Sequence, residues 1–181
     1  MSAGQDIRRV VTGHDETGKA VVLFDGPTPA KFTRADTGVT ARLFWHTDSI
    51  PVDLTGTSDR ATIKIGLAMP ATASAFRIVE FPPTGDVSKL GNDFYIREMH
   101  TQRPRGKRRP SRHPFTHFTN SIDYAVVVSG EIDMLLDDTE IHLKTGDVLV
   151  QQGTNHAWIN RGTEPCRIAF IAIGAHDPLA D

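Results

Sequence analysis

Short apolar runs separated by turn residues dominate the second half of the chain. Tyr124 to Ser129 (YAVVVS), Gly130 to Asp137 (GEIDMLLD), Glu140 to Lys144 (EIHLK) and Val148 to Gln151 (VLVQ) follow one another, with Asp137 to Glu140 and Gly146-Asp147 as corners. Turn residues recur about every eight to ten positions and no amphipathic helix of useful length intervenes, so the pattern predicts an all-β sandwich or barrel. Cys166 to Gly174 (CRIAFIAIG) is almost continuously apolar, which suits a strand in the middle of a sheet. Ala75 to Phe81 (AFRIVEF) reads as a strand ended by Pro82-Pro83. Upstream, Ile7 to Thr12 and Lys19 to Phe24 are β-branched runs joined by GHDETG and read as a hairpin. The segment from Asp25 to Lys31 breaks the chain, Val39 to His46 alternates as another strand, and Ile63 to Ala68 is a further strand candidate. Between them, 46–61 is polar and loop-like, and Pro51 excludes a central strand there.

Around Asp123 the alternation has chemical content. The odd positions His117, Thr119, Ser121, Asp123, Ala125 and Val127 make one partly polar face, while Ile122, Tyr124, Val126 and Val128 make an apolar one, where Tyr124 is expected to pack. A straight strand would hold His117 and Asp123 about 20 Å apart at about 3.3 Å per residue, so the two can share a site only if the chain bends between them. Asn120 and Ser121 supply turn chemistry at that point. Further on, Gly153, Thr154 and Asn155 turn the chain before His156, and His156, Trp158 and Asn160 then share a face. A histidine beside a large aromatic side chain is a fitting start for a small-molecule pocket.

These two stretches, His117 to Ile132 and Gly146 to Asn160, together resemble the motifs of the cupin family, which cover 113–160, and strands on either side extend the likeness to about 76–174. His117 falls on the first-motif histidine, Asp123 on the motif glutamate, Gly130 on its closing glycine, and His156 and Asn160 on the second-motif histidine and asparagine. Thr119 stands where a second histidine is usual, Asp is shorter than Glu, and the second motif is one residue short, with Gln152 near the usual proline. The resemblance implies an all-β fold, a cupin-type double-stranded β-helix (jelly-roll) barrel over 76–174, with N-terminal strands in 1–75 packing on it and a tail at 175–181, one compact domain overall. It implies a homodimer as well. It also implies a ligand set of His117, Asp123 and His156 for a divalent transition metal, iron, manganese, nickel or zinc, with open positions for water, oxygen or substrate. In that reading Asp123 and His156 are the catalytic groups, and Trp158, Thr119 and Gln151 contact substrate. The competing reading is a buried hydrogen-bond cluster of the three residues with water and without metal; within the metal reading, the short Asp123 can instead stand behind a ligand and bond its imidazole N–H. Function follows the same fork. Either a metal-dependent enzyme acts on a small anionic or aromatic molecule, by dioxygenase, isomerase, decarboxylase or dehydratase-like chemistry, or a non-catalytic barrel binds a small molecule as a sensor.

Composition narrows the partners. A formal net charge of −2 with 23% charged and 39% hydrophobic residues describes neither a nucleic-acid binder nor a membrane protein. There is no helix-turn-helix pattern, no membrane-length apolar run, no G-x-S-x-G elbow and no phosphate-cradling glycine loop. The single cysteine, Cys166, is expected to be a core thiol in a reducing compartment, and with no apolar segment of signal-peptide length a cytoplasmic location is expected. His14 is expected to be solvated, His46 to lie at the surface or an interface, and His100 and His113 to belong to a loop. That loop, 101–113, gathers Arg103, Arg105, Lys107, Arg108, Arg109 and Arg112 around prolines. It reads either as a solvated loop or as a cationic lid that recruits a carboxylate or phosphate.

Overall fold

A computed structural model describes residues 6–63, 66–67, 69–88, 90 and 111–176. Among the described residues there are eleven strands: β1 (Arg8–His14), β2 (Ala20–Pro27), β3 (Lys31–Thr33), β4 (Thr40–Thr47), β5 (Ser74–Phe81), β6 (Ser121–Ser129), β7 (Glu131–Leu135), β8 (Glu140–Lys144), β9 (Val148–Gln152), β10 (Ala157–Ile159) and β11 (Cys166–Gly174). They form a β1-β2 hairpin, a six-stranded sheet in the order β3-β4-β5-β11-β6-β9, and a three-stranded sheet in the order β10-β7-β8. The fold is all-β, as the periodicity predicts, and a cupin-type jelly roll, as the resemblance implies. No described segment is a helix long and apolar enough to cross a membrane.

β11 lies between β5 and β6, antiparallel to both, as its continuous apolar sequence requires. β4 pairs along β5, so the N-terminal strands β3 and β4 extend the larger sheet itself. β3 falls at the end of the segment expected to break the chain. It survives as a three-residue edge strand, where missing ladder partners matter least. No strand forms at the described residues of 63–68, Ile63, Gly66 and Leu67.

The two sheets close on a core that includes Phe81, Ala125, Val127, Ile132, Met134 and Ile168. On β6 the inward positions are Ser121, Asp123, Ala125 and Val127, the partly polar face. The fully apolar face turns outward. Tyr124 is 43% exposed, and its cross-strand partner Val150 and the neighbouring Val126 and Val148 are exposed with it. The packing expected of Tyr124 is therefore not found: hydrophobicity favoured burying the apolar face, but strand register and the position of the smaller sheet put the other face inside. His46 departs from expectation in the opposite sense, being buried on β4. Cys166 is a core thiol, pushed up to about 12 by burial and by the nearby Glu131 charge.

Gly130 turns β6 into β7 with φ +78°, and a Cβ there would stand 2.7 Å from the Pro165 carbonyl oxygen and 2.9 Å from Cys166 Cα. Gly146 also has positive φ, +93°, but open space around it. Gly130→Ala should therefore destabilise the protein by about 2 to 4 kcal/mol and Gly146→Ala by about 1 kcal/mol, measured by urea denaturation. Equal losses would show that backbone strain alone, without the steric clash, sets the requirement.

Candidate functional site

Outside the named strands, His117 and His156 form an antiparallel bridge, with backbone N–H to carbonyl distances of 3.0 and 2.9 Å in the two directions. This bridge joins the entry to β6 to the entry to β10 and brings the two rings to 4.4 Å between centroids. Each ring is held in the same way. His117 Nδ1 lies 2.8 Å from the Phe115 carbonyl oxygen and His156 Nδ1 lies 2.9 Å from that of Thr154, two residues upstream in each case. A carbonyl can only accept, so Nδ1 carries the proton in both rings and Nε2 is the acceptor. Burial pushes His117 down to about 4 and His156 to about 3, the latter helped by its neighbour, while the carbonyl bonds act in the opposite sense. Both imidazoles are neutral at physiological pH.

Asp123 is the cross-strand partner of Gln151 on the same inner surface but bonds along its own strand. Its Oδ1 accepts from Ser121 Oγ at 2.7 Å, and Ser121 Oγ lies 2.9 Å from Thr119 Oγ1, a chain of three polar side chains along one strand face. Burial raises the Asp123 pKa, against the Ser121 bond and the charge of Arg77. Gln151 is buried with its amide against His156, Nε2 standing 2.9 Å from Nδ1 and 3.3 Å from Nε2. Because Nδ1–H already donates to Thr154, the Gln151 side chain meets that edge of the His156 ring best through its amide oxygen, which can accept from the same N–H.

Of the three residues expected to ligate a metal, the structure thus brings His117 and His156 together and leaves Asp123 with Ser121. No three His, Cys, Asp or Glu side chains among the described residues are grouped so as to hold a metal ion. A pair of imidazoles with no third ligating side chain grouped beside them among the described residues does not fit a resident transition metal held by three side chains.

Trp158 stands between the histidines and a cavity. Its ring meets His156 edge-on at 6.1 Å, Phe170 at 5.7 Å and Phe81 at 6.2 Å between centroids. The cavity, about 380 Å³, is bounded by Trp158, His117, Phe81, Phe115, Val39 and Leu90. That volume and lining suit a compact organic molecule with an apolar body. Thr119 and Gln151, expected as substrate contacts, do not line it. Asn160 fixes one wall from behind, donating to the carbonyls of Phe81 at 2.9 Å and Glu164 at 2.8 Å and accepting from the Gly162 N–H.

Sequence reasoning missed Arg77, which is buried on the inner face of β5. Its signal was parity: Arg77 shares its face with Ala75, Val79 and Phe81, so a cation stood on a core-facing position of an apolar run. Of the loop histidines, His113 is described; its Nδ1 accepts from the Phe115 N–H at 3.2 Å. Arg112 donates to the carbonyls of Leu136 and Thr139. His100 and the rest of the cationic-lid segment, 101–110, lie outside the described residues.

Comparison with known proteins agrees with this architecture. A cupin-domain family model matches residues 103–173. Phomopsin biosynthesis cluster protein C' of Diaporthe leptostromiformis is 36% identical over 171 residues, covering 92% of this chain and 78% of that protein. The cupin-domain-containing oxidoreductase fogC of Aspergillus ruber is 28% identical over 176 residues, covering 93% and 73%. Among solved structures, the Cnp3 cupin domain of Schizosaccharomyces pombe is similar at 13% identity and a TM-score of 0.46, covering 97% of this chain and 90% of that one. The chain belongs to the cupin superfamily.

A neutral buried histidine makes stability depend on pH in a definite direction. The unfolded state takes up protons below its ordinary pKa of 6.5, whereas the folded state does not until about 4 for His117 and about 3 for His156. Stability is therefore lost as pH falls through this window. The raised pKa values of Asp123 and His142 act in the opposite sense, so the comparison is made between variants. Between about pH 7.5 and about pH 5.5, a His117→Gln, His156→Gln double variant should lose less unfolding free energy than the parent. Parallel losses would show that the histidines are not buried in neutral form.

Proposed function

We propose that this chain is a cupin-type enzyme that acts on a compact, mainly apolar or aromatic organic molecule held against Trp158, Phe81 and Phe115, with His117 exchanging a proton with it. The observation that carries this reading is the placement of a neutral, carbonyl-oriented imidazole in the wall of an aromatic-lined cavity. A histidine fixed in one tautomer and held neutral presents one acceptor nitrogen, and it serves as a general base where the bound molecule's charge offsets the burial that lowers its pKa to about 4; such action accelerates reactions by about 10² to 10⁴. His156, behind it, orients by packing and keeps the local charge low. The names of relatives such as fogC support an oxidoreductase role. This chain's described side chains supply binding and proton transfer, so an electron acceptor would come with another molecule.

Two measurements test the reading. In a Trp45→Phe background, a ligand entering the cavity should change Trp158 fluorescence, since Trp158 would be the remaining tryptophan of two. Incubation with a small-molecule extract, followed by untargeted mass spectrometry, should show a substrate consumed by the parent and spared about 10²-fold or more by His117→Gln. Undiminished conversion by that variant overturns the role given to His117, and binding without any conversion leaves the non-catalytic barrel. The metal question is settled alongside. The donor geometry predicts far less than one equivalent of transition metal, unchanged by a His117→Ala, His156→Ala double variant; near one equivalent, lost in the variant, would replace this reading by a metal-dependent one.

A further inference from the structure

Buried arginines in this chain are as a rule clamped by carboxylates. Arg9 holds Asp59 through two bonds of 2.7 and 2.6 Å, Arg34 holds Asp36 at 3.1 and 2.8 Å, and Arg167 meets Glu80 at 2.6 Å. Arg77 is only 9% exposed, yet it has no such partner. Among the described residues its one side-chain hydrogen bond runs from Nη2 to the Gly66 carbonyl, although a guanidinium carries five N–H donors. Arg42, likewise unclamped, differs in position: it pairs across the sheet with Ile78, whose parity puts it on the opposite face from Arg77, and its Nε and Nη1 are sealed.

The carboxylate that faces the same interior is Asp123. Phe170 pairs with both Arg77 and Ala125, and Ala172 pairs with both Ala75 and Asp123, so the two residues stand two strands apart and one inward row apart. With about 4.8 Å between strands and about 3.3 Å per residue, their Cα atoms are about 12 Å apart. They feel each other's charge without forming an ion pair, and Asp123 turns to Ser121 instead. Neither compensates the other's burial. Arg77 is lowered to about 10 by desolvation despite Asp123, and Asp123 is raised by desolvation despite Arg77. Two buried opposite charges left apart in one interior are unfavourable unless something else meets them.

We propose that Arg77 anchors the carboxylate of a small organic acid inside the barrel, with the Ser121 and Thr119 hydroxyls on the same inner surface supporting it. This rests on the reading that the barrel holds a small molecule, and it places that molecule's polar end on the inner face of β5, beyond the residues that line the cavity beside Trp158. A planar carboxylate fits the two-pronged guanidinium. A phosphate dianion would bring a second negative charge toward Asp123, so the carboxylate is the better match.

Binding of benzoate and of its neutral counterpart benzamide separates the claims. Calorimetry on the full chain at one pH should show benzoate bound at least about tenfold more tightly than benzamide. Arg77→Met should remove that preference, benzoate losing more affinity than benzamide, and Arg77→Lys should keep part of it, because the charge survives and the planar fork does not. Equal affinities in the parent, or an undiminished preference in Arg77→Met, overturn the anchor while the pocket reading stands. Binding of neither probe up to about 10 mM overturns both. Should Arg77→Met fail to fold, the parent's preference and its reduction in Arg77→Lys decide the matter.

Discussion

The antiparallel bridge between His117 and His156 is the constraint on which the site depends. It consists of two backbone hydrogen bonds, yet it ties the segment entering β6 to the segment entering β10, which belong to different sheets. Backbone bonds fix where each Cα stands, and the carbonyls of Phe115 and Thr154 then fix how each ring turns. Imidazole position and tautomer are thus decided by main-chain geometry, before any ligand enters. That preorganisation is what a proton-transfer group needs, since little remains to be reorganised during the reaction.

The interior is layered by polarity. Its lower part is apolar, with Ile132, Met134 and Ile168 fully enclosed, and the polar residues gather above it around the histidines, Gln151 and the Thr119-Ser121-Asp123 chain. Trp158 separates the two regimes, packing against Phe81 and Phe170 on one side and His156 on the other. A ring in that place serves as core and as wall at once. Removing it would open the cavity and loosen the histidine behind it, so stability and binding are not separable at this residue.

Much of this was legible in the sequence. Strands recur with short turns, and the hairpins β1-β2 and β7-β8 and the central place of β11 follow from local patterning alone. The two histidines and Asn160 were found because motif spacing reflects the bridge and the loop they serve. What was not legible depended on which face of a strand is covered. Tyr124 neighbours Asp123 on β6, and hydropathy expected it to pack, but the ladder registers of β6 with β9 and β11 outweigh the preference of the individual side chain and turn it outward. The same holds for Asp123 as a ligand: spacing placed it in the motif, while only the fold could show that it turns to Ser121. Arg77 escaped notice because its mark, a parity shared with Ala75, Val79 and Phe81, tells only once the covered face of β5 is known.

The reversed polarity of β6 bears on how this sequence can drift. On most half-buried strands the apolar positions are the fixed ones and the polar positions are free to change. Here Val126 and Tyr124 look out, so exchanging them for threonine or lysine alters only a surface, whereas Ser121 and Asp123 look in and are held by bonds to one another. Replacing those two by valine, a change that hydropathy would score as an improvement, would strip the interior of its hydrogen-bonding capacity. Descendants of this chain should therefore vary most where it is greasiest and least where it is polar. In such a lineage the hydropathy profile of β6 would fade while the fold and its pocket persisted.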